Sequence, residues 1–405
     1  VRKQKLTKNI IRASALLFGL SVTSVIVSLV LLNSGRKDTP TPTPGAGYAP
    51  LPQTGITQLP ASSFGKPVVD LVYHLISPPS AAMADRYGVI ITGFETKPDL
   101  PQGVQHVLNT TQANWWYHYI PRSVELANSK ARQVYLIRTW FGGKKNNHFI
   151  EWMEYIRKVG KFNQPTYWLI GNEPNVLGQD NTSPEEYAEA LFEANQAIRA
   201  ADPQATIIGP NVLNWTVTCK GCPGFSSGFE WTNQMREIYR QKYNREPPFD
   251  IWSLHTYSLD WTRLPLINQA QDAEQVEAFR RYLDNFAVTK DKPIWLTEFG
   301  VIWGYDNIEW QQKADSSWTA LPRGNYRQDL IEEYLRNTIT WLERHSNRLN
   351  LQRWFVFTSY GGPEVYSTAF SGIALFDAPA TTANLTNYGR IYSGQIKKHV
   401  KNGNN

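Results

Sequence analysis

The chain has 405 residues, 41% of them hydrophobic and 19% charged. That is enough for one large globular domain and too apolar for a disordered one. The net charge of +6 sits at the N-terminus: residues 1–38 hold seven Lys or Arg against the single acid Asp38, and the rest is neutral, so the high pI is no sign of a nucleic-acid surface.

Residues Ala13 to Leu32 form an uncharged run of 20 residues. At about 1.5 Å per residue a helix of that length spans a hydrocarbon core. It exceeds the apolar core of a signal peptide, about 7–15 residues, and L-N-S-G-R-K after it is a poor cleavage site. An uncleaved single-pass anchor is expected, with secretion the alternative if the segment is removed. Five basic residues precede the span and two follow it, which places the N-terminus in the cytoplasm and the rest outside. The expected organisation is a basic tail and anchor over 1–33, a linker over 34–62 and a folded domain over 63–405. Thr39 to Pro44 is an extended TPTPTP repeat that holds the domain off the membrane. LPQTG at 51–55 looks like a sorting motif, but it follows the apolar segment instead of preceding one. Asn109, Asn181, Asn214 and Asn384 open N-x-[ST] triplets, a weak signal.

From residue 87 apolar runs alternate with amphipathic segments. The predicted strands are 87–94, 114–120, 133–140, 166–173, 206–212, 250–258, 293–300 and 353–360. Their apolar residues fall on both alternating faces, as in parallel strands buried on both sides. Between them Ser183 with Glu186 makes a capping box, and Asp272 with Gln275 repeats the signal. Tyr187, Leu191, Ala194 and Ile198 share one helix face, as do Val276, Phe279, Leu283 and Phe286, and Leu335, Ile339 and Leu342. Eight strands with intervening helices predict a (β/α)8 TIM barrel, preceded by the transmembrane helix and linker. An open doubly wound sheet lacks its Gly-rich phosphate loop here. VVDLVYHLI, within 63–86, reads as a strand or a short helix.

Cys219 and Cys222 form one C-K-G-C element in a Gly/Pro-rich stretch. A zinc ribbon needs a second pair. A small loop disulfide, or two free thiols, is the expectation. The histidines form no H-E-x-x-H or carboxylate cluster, so neither a metal nor a cofactor is expected.

Two apolar runs end in glutamate before a Pro or Gly turn: W-L-I-G-N-E-P-N and P-I-W-L-T-E-F-G. Burying a carboxylate costs several kcal/mol unless it is compensated. In a barrel the C-terminal strand ends form one functional face. Glu173 at the end of the fourth strand and Glu298 at the end of the seventh therefore project into one cleft. Two such carboxylates suit glycosidic bond cleavage.

With N-E-P at Asn172–Pro174, L-H-T-Y at Leu254–Tyr257 and T-E-F-G at Thr297–Gly300, the sequence resembles clan A of the glycoside hydrolases. Within it, W-W-Y-H-Y followed by L-I-G-N-E-P-N is similar to the glycosyl hydrolase catalytic-core proteins, some of which are endo-β-1,3-glucanases. The resemblance covers about residues 87–395. It implies a retaining barrel glycosidase acting on carbohydrate, with Glu173 as acid/base and Glu298 as nucleophile. It also implies that Asn172 holds the sugar 2-hydroxyl, that Tyr257 donates to Glu298, and that His255 supports the acid/base or lines the cleft. Arg138 is expected to lower the nucleophile's pKa or to pair with a rim acid. Trp116, Trp140 and Tyr360 are candidate sugar platforms, or core. A monomer is expected. A transglycosylase sharing the intermediate and a catalytically silent carbohydrate-binding barrel are the alternatives.

Overall fold

The computed structural model describes residues 85–402, except 96, 127–128, 142, 218–225, 259–268, 302–307, 313–317, 323–327, 363–369 and 371. The apolar span, the linker, the VVDLVYHLI segment and the Cys219/Cys222 pair lie outside the described residues. Among those described, no helix is long and apolar enough to cross a membrane.

All eight predicted strands are present. They are β1 (Tyr87–Ile90), β2 (Trp115–Tyr117), β3 in two segments (Arg132–Gln133 and Tyr135–Ile137), β4 (Tyr167–Ile170), β5 (Thr206–Leu213), β6 (Ile251–Tyr257), β7 (Ile294–Gly300) and β8 (Leu351–Val356). Every neighbouring pair is parallel: β1 with β2, β4 with β5, and so on round to β8 with β1. The first segment of β3 pairs with β2 and the second with β4. Both ends of the sheet therefore meet in one stretch of chain, and the sheet comes round into a near-closed barrel.

The helices are α1 (Leu100–Thr111), α2 (Asn147–Val159), α3 (Pro184–Ala201), α4 (Gly228–Tyr243), α5 (Gln269–Asp284), α6 (Gln328–Leu349) and α7 (Asn387–Asn402). The Ser183–Glu186 capping box opens α3 with both reciprocal bonds made. Tyr187, Leu191, Ala194 and Ile198 are fully buried on its inner face. Asp272 and Gln275, however, are no helix start. They lie inside α5, where Asp272 accepts from Ser258 and Tyr334 and Gln275 accepts from the Trp215 and Thr216 amides. Their side chains tie the helix to loops on the functional face. Asn214 is no glycan acceptor in this fold either: it is fully buried, with both amide atoms bonded to the Tyr257 backbone.

The aromatic surplus is mostly core. Among the described residues eight tryptophans are fully buried, Trp116 among them. At the strand starts the Arg353 guanidinium lies 4.1 Å from the Trp115 ring centre and 4.6 Å from that of Trp295. Such desolvated cation–π contacts contribute up to about 2 kcal/mol each. They seal the end of the barrel opposite the functional face.

Candidate active site

Glu173 is not the last residue of β4. It lies three positions past Ile170, in the left-handed region at φ 49°. A non-glycine residue there costs about 1–3 kcal/mol and persists only where its surroundings over-determine it. Here they do. The Glu173 amide donates to the Asn211 carbonyl at 3.0 Å, and the Glu173 carbonyl accepts from Val176 at 3.0 Å. Gly171 lets the chain leave the strand at φ 83°, where a Cβ would come within 2.6 Å of the Tyr187 ring.

Asp180 fastens the same loop. Fully buried, it accepts from Arg138 Nε (2.6 Å), the Thr139 amide (2.8 Å) and the Asn172 amide (2.9 Å). Arg138 thus pairs with an acid of the strand-four loop, and Arg138 Nη2 also reaches Gln179 Oε1 at 3.1 Å. Its charge also pulls the Glu173 carboxyl downward against the larger upward effect of burial; the pair with Asp180 matches the rim-acid alternative for Arg138.

Glu298 lies inside β7 and not at its end. The register shifts between Leu296 and Glu298 against β6, and between Leu296 and Phe299 against β8. Such a bulge re-aims a side chain. Three phenols converge on the carboxylate. Tyr117 (3.0 Å) and Tyr119 (2.5 Å) donate to Oε1, and Tyr257 (2.7 Å) to Oε2. An ionised carboxylate is acceptor-only and can take all three. Burial first, then the Glu298 charge, push Tyr117 and Tyr257 well above the usual phenol range, so both stay protonated donors.

His255 joins the two acids. Its Nδ1 is 3.0 Å from Glu173 Oε1 and 3.6 Å from Glu298 Oε2. Burial pushes the imidazole down, but the Glu298 and Glu173 carboxylates outweigh it and the net shift is upward. Glu173 is raised by burial and further by Glu298, against the opposing pull of His255 and Arg138.

Of the other expected residues, Asn172 is buried beside Glu173, its Nδ2 donating to Gln179 Oε1 at 3.2 Å. Trp116 offers no ring face to a sugar at 0% exposure; packing against His118 within the barrel core holds it there. Trp140 is partly exposed in a hairpin with Lys145, and Tyr360 is buried. Tyr117, Tyr119, Asp180 and Asn211 were missed. The two tyrosines carried a signal, since residues two apart on a strand share a face.

Replacing Tyr257 by phenylalanine removes one hydrogen bond to a charged acceptor, a bond worth about 1.5–3 kcal/mol. With Tyr117 and Tyr119 remaining, kcat is expected to fall by about tenfold with KM little changed. Steady-state kinetics on a polysaccharide substrate check this, and an unaltered kcat would remove Tyr257 from the machinery.

Glu173, His255 and Glu298 each present one potential ligand atom, all within 4.8 Å of one another, so they have the spacing of a metal site. The hydrogen bond between His255 Nδ1 and Glu173 already uses the imidazole nitrogen, and the upward shift of Glu173 favours a proton that a cation would have to displace. Activity is expected to survive dialysis against EDTA. Loss reversed by one divalent ion would make the cluster a metal centre.

The profile of the family described as "Glycosyl hydrolase catalytic core" matches residues 94–392. No curated relative matches. Among solved structures, the chain is similar to a GH128 (subgroup II) endo-β-1,3-glucanase from Pseudomonas viridiflava at 20% identity, covering 76% of this chain and 96% of that one, with a TM-score of 0.47. It is similar to another such enzyme from Sorangium cellulosum at 16% identity, covering 76% and 98%, TM-score 0.48. A GH128 (subgroup III) curdlan-specific exo-β-1,3-glucanase from Blastomyces gilchristii matches at 16% identity, covering 77% and 99%, TM-score 0.46. With its profile running from just past β1 into α7, across both buried glutamates, the chain belongs to the glycosyl hydrolase catalytic core family and is a glycosidase.

Proposed function

We propose that this glycosidase is a retaining enzyme, with Glu298 as nucleophile and Glu173 as acid/base, acting on extracellular polysaccharide. The observation that carries the reading is the spacing. An oxygen of each carboxylate lies within 4.8 Å of the other. Retaining enzymes hold the carboxyls about 5–5.5 Å apart, whereas inverting ones need about 6.5–9.5 Å to admit water.

The environments then divide the roles. Glu173, raised by burial, is the carboxyl that keeps its proton. With Oε1 occupied by His255 Nδ1, the proton belongs on Oε2, from which it passes to the departing glycosidic oxygen. Glu298, held by three phenols, attacks the anomeric carbon and forms the glycosyl ester. Glu173, now a carboxylate, takes a proton from water as that water attacks the same carbon and releases Glu298. Asn172, next to the acid, is the proposed ligand of the sugar 2-hydroxyl. Trp140 and Tyr360 remain candidate platforms.

Two measurements test the mechanism. Proton NMR of the first product on a panel of laminarin, curdlan, cellulose, xylan, mannan and chitin should show retained anomeric configuration; inversion would overturn the reading. A 2-deoxy-2-fluoro glycoside should label Glu298, and label on another residue would reassign the nucleophile.

The extracellular placement rests on the 20-residue apolar run with its flanking charges, read as an anchor with the barrel outside. Membranes from cells producing the full chain should retain the activity through a carbonate wash. Activity in the culture medium would instead mark a cleaved signal.

A further inference from the structure

We infer that Asn211 is a positioning residue for both catalytic carboxylates, a role that rests on the assignment of Glu173 and Glu298 above. Asn211 occupies an irregularity of β5. Pro210 pairs with Ser253 and Val212 with Leu254, so Asn211 falls between two consecutive partners of β6. It adopts φ 57°, the left-handed region. A bulge residue has no ladder partner of its own and is free to turn its side chain elsewhere.

That side chain reaches three other strands or their ends. Nδ2 donates to the Gly171 carbonyl at 2.8 Å and more weakly to that of Ile170 at 3.4 Å, where the chain leaves β4 for Glu173. Oδ1 accepts from the Ser253 hydroxyl of β6 and from Thr297 Oγ1 of β7 at 3.0 Å, one residue before Glu298. Its main-chain carbonyl holds the Glu173 amide at 3.0 Å. One residue thus joins the turn carrying the acid/base to the strand carrying the nucleophile.

Asn211 is 1% exposed, and both polar atoms of its side chain are bonded to protein groups. It acts only by fixing where the two carboxylates stand. Deleting its side chain leaves the Ser253 and Thr297 hydroxyls without this acceptor and the Gly171 carbonyl without this donor. Buried polar groups that lose their partners draw in water or shift. Either response loosens the Glu173 turn relative to β7. Displacement of about 1 Å at a reacting group costs roughly a hundredfold in rate.

The test is Asn211→Gly, which tolerates φ 57° and keeps the carbonyl to Glu173. Rates are measured on the panel polysaccharide that the wild type cleaves fastest, and on the 2,4-dinitrophenyl glycoside of its sugar, whose departure needs little acid help. On the polysaccharide kcat/KM is expected to fall by about a hundredfold, and by a smaller factor on the dinitrophenyl glycoside. The alkaline limb of kcat/KM should move to lower pH, because water admitted to Glu173 relieves the burial that raises it. Equal losses of kcat/KM on both substrates with an unmoved limb would show a merely structural residue and overturn the proposal, as would wild-type kinetics.

If Asn211→Gly does not fold, Ser253→Ala removes one of the tethers and should shift the limb the same way by less; an unmoved limb there also overturns the proposal. Glu173→Ala separates the two levels. Equal losses of kcat/KM, which reads the first step alone, on both substrates in that variant refute the acid/base assignment itself. A selective loss there, with none in Asn211→Gly, refutes only the role of Asn211.

Discussion

Glu298→Ala is expected to lower kcat by about five orders of magnitude, on the scale seen when a covalent nucleophile is deleted. The reason is local. Glu298 is 4% exposed, and its two oxygens are held by Tyr117, Tyr119 and Tyr257. Water that enters the space left by the carboxylate is too weak a nucleophile to replace it. The deletion does leave a space beside the anomeric carbon that a small anion fits. Azide should therefore restore part of the rate and yield a glycosyl azide of inverted configuration, since one displacement replaces two. A product of retained configuration, or a loss below tenfold, would show that Glu298 is not the nucleophile. Glu298→Gln should be as inactive but not rescued, because the amide fills the space.

Why the barrel was legible and parts of the site were not follows from what each residue does. The strands are buried on both faces, so Val89, Ile90, Leu169, Ile170, Ile207 and Ile208, all at 1% exposure or less, announce themselves as unbroken apolar runs. The break of β3 at Val134 does not: its amide still bonds across to Trp116, and nothing in its side chain reports that the pairing changes sides there.

The glutamates were legible because charge in such runs is costly. Their positions were off by a few residues, since the bulge in β7 and the left-handed turn at Glu173 are backbone events that strand patterns do not encode. Tyr117 and Tyr119 were hidden among the aromatic residues of the predicted strand over 114–120. Asn211 was hidden differently. A single asparagine in T-I-I-G-P-N-V looks like a strand end, and only the fold shows that it faces inward among β4, β6 and β7. Arg138 was found, but its partner Asp180 lies 42 positions away in a loop, beyond any local pattern.

Glu173→Ala is expected to act differently from the loss of Glu298. A positioned general acid contributes about 10²–10⁴-fold, and the loss should depend on what departs. For the natural polysaccharide, whose leaving sugar hydroxyl needs a proton, kcat should fall by that range. For a 2,4-dinitrophenyl glycoside the first step needs no acid, so deglycosylation becomes limiting and azide, which needs no general base, should accelerate it to a product of retained configuration.

The pH dependence carries the sign of the assignment. Glu173 is raised by burial and by Glu298, and in the proposed mechanism its acid form does the first step. In the wild type kcat/KM should therefore fall on the alkaline side as pH passes through the raised value. In Glu173→Ala, measured on the dinitrophenyl glycoside, that limb should disappear, because no proton at position 173 remains to be lost. An alkaline limb that survives the substitution unchanged would assign the titration to His255, whose shift is also upward, and would make the imidazole the group that governs the proton in this cleft.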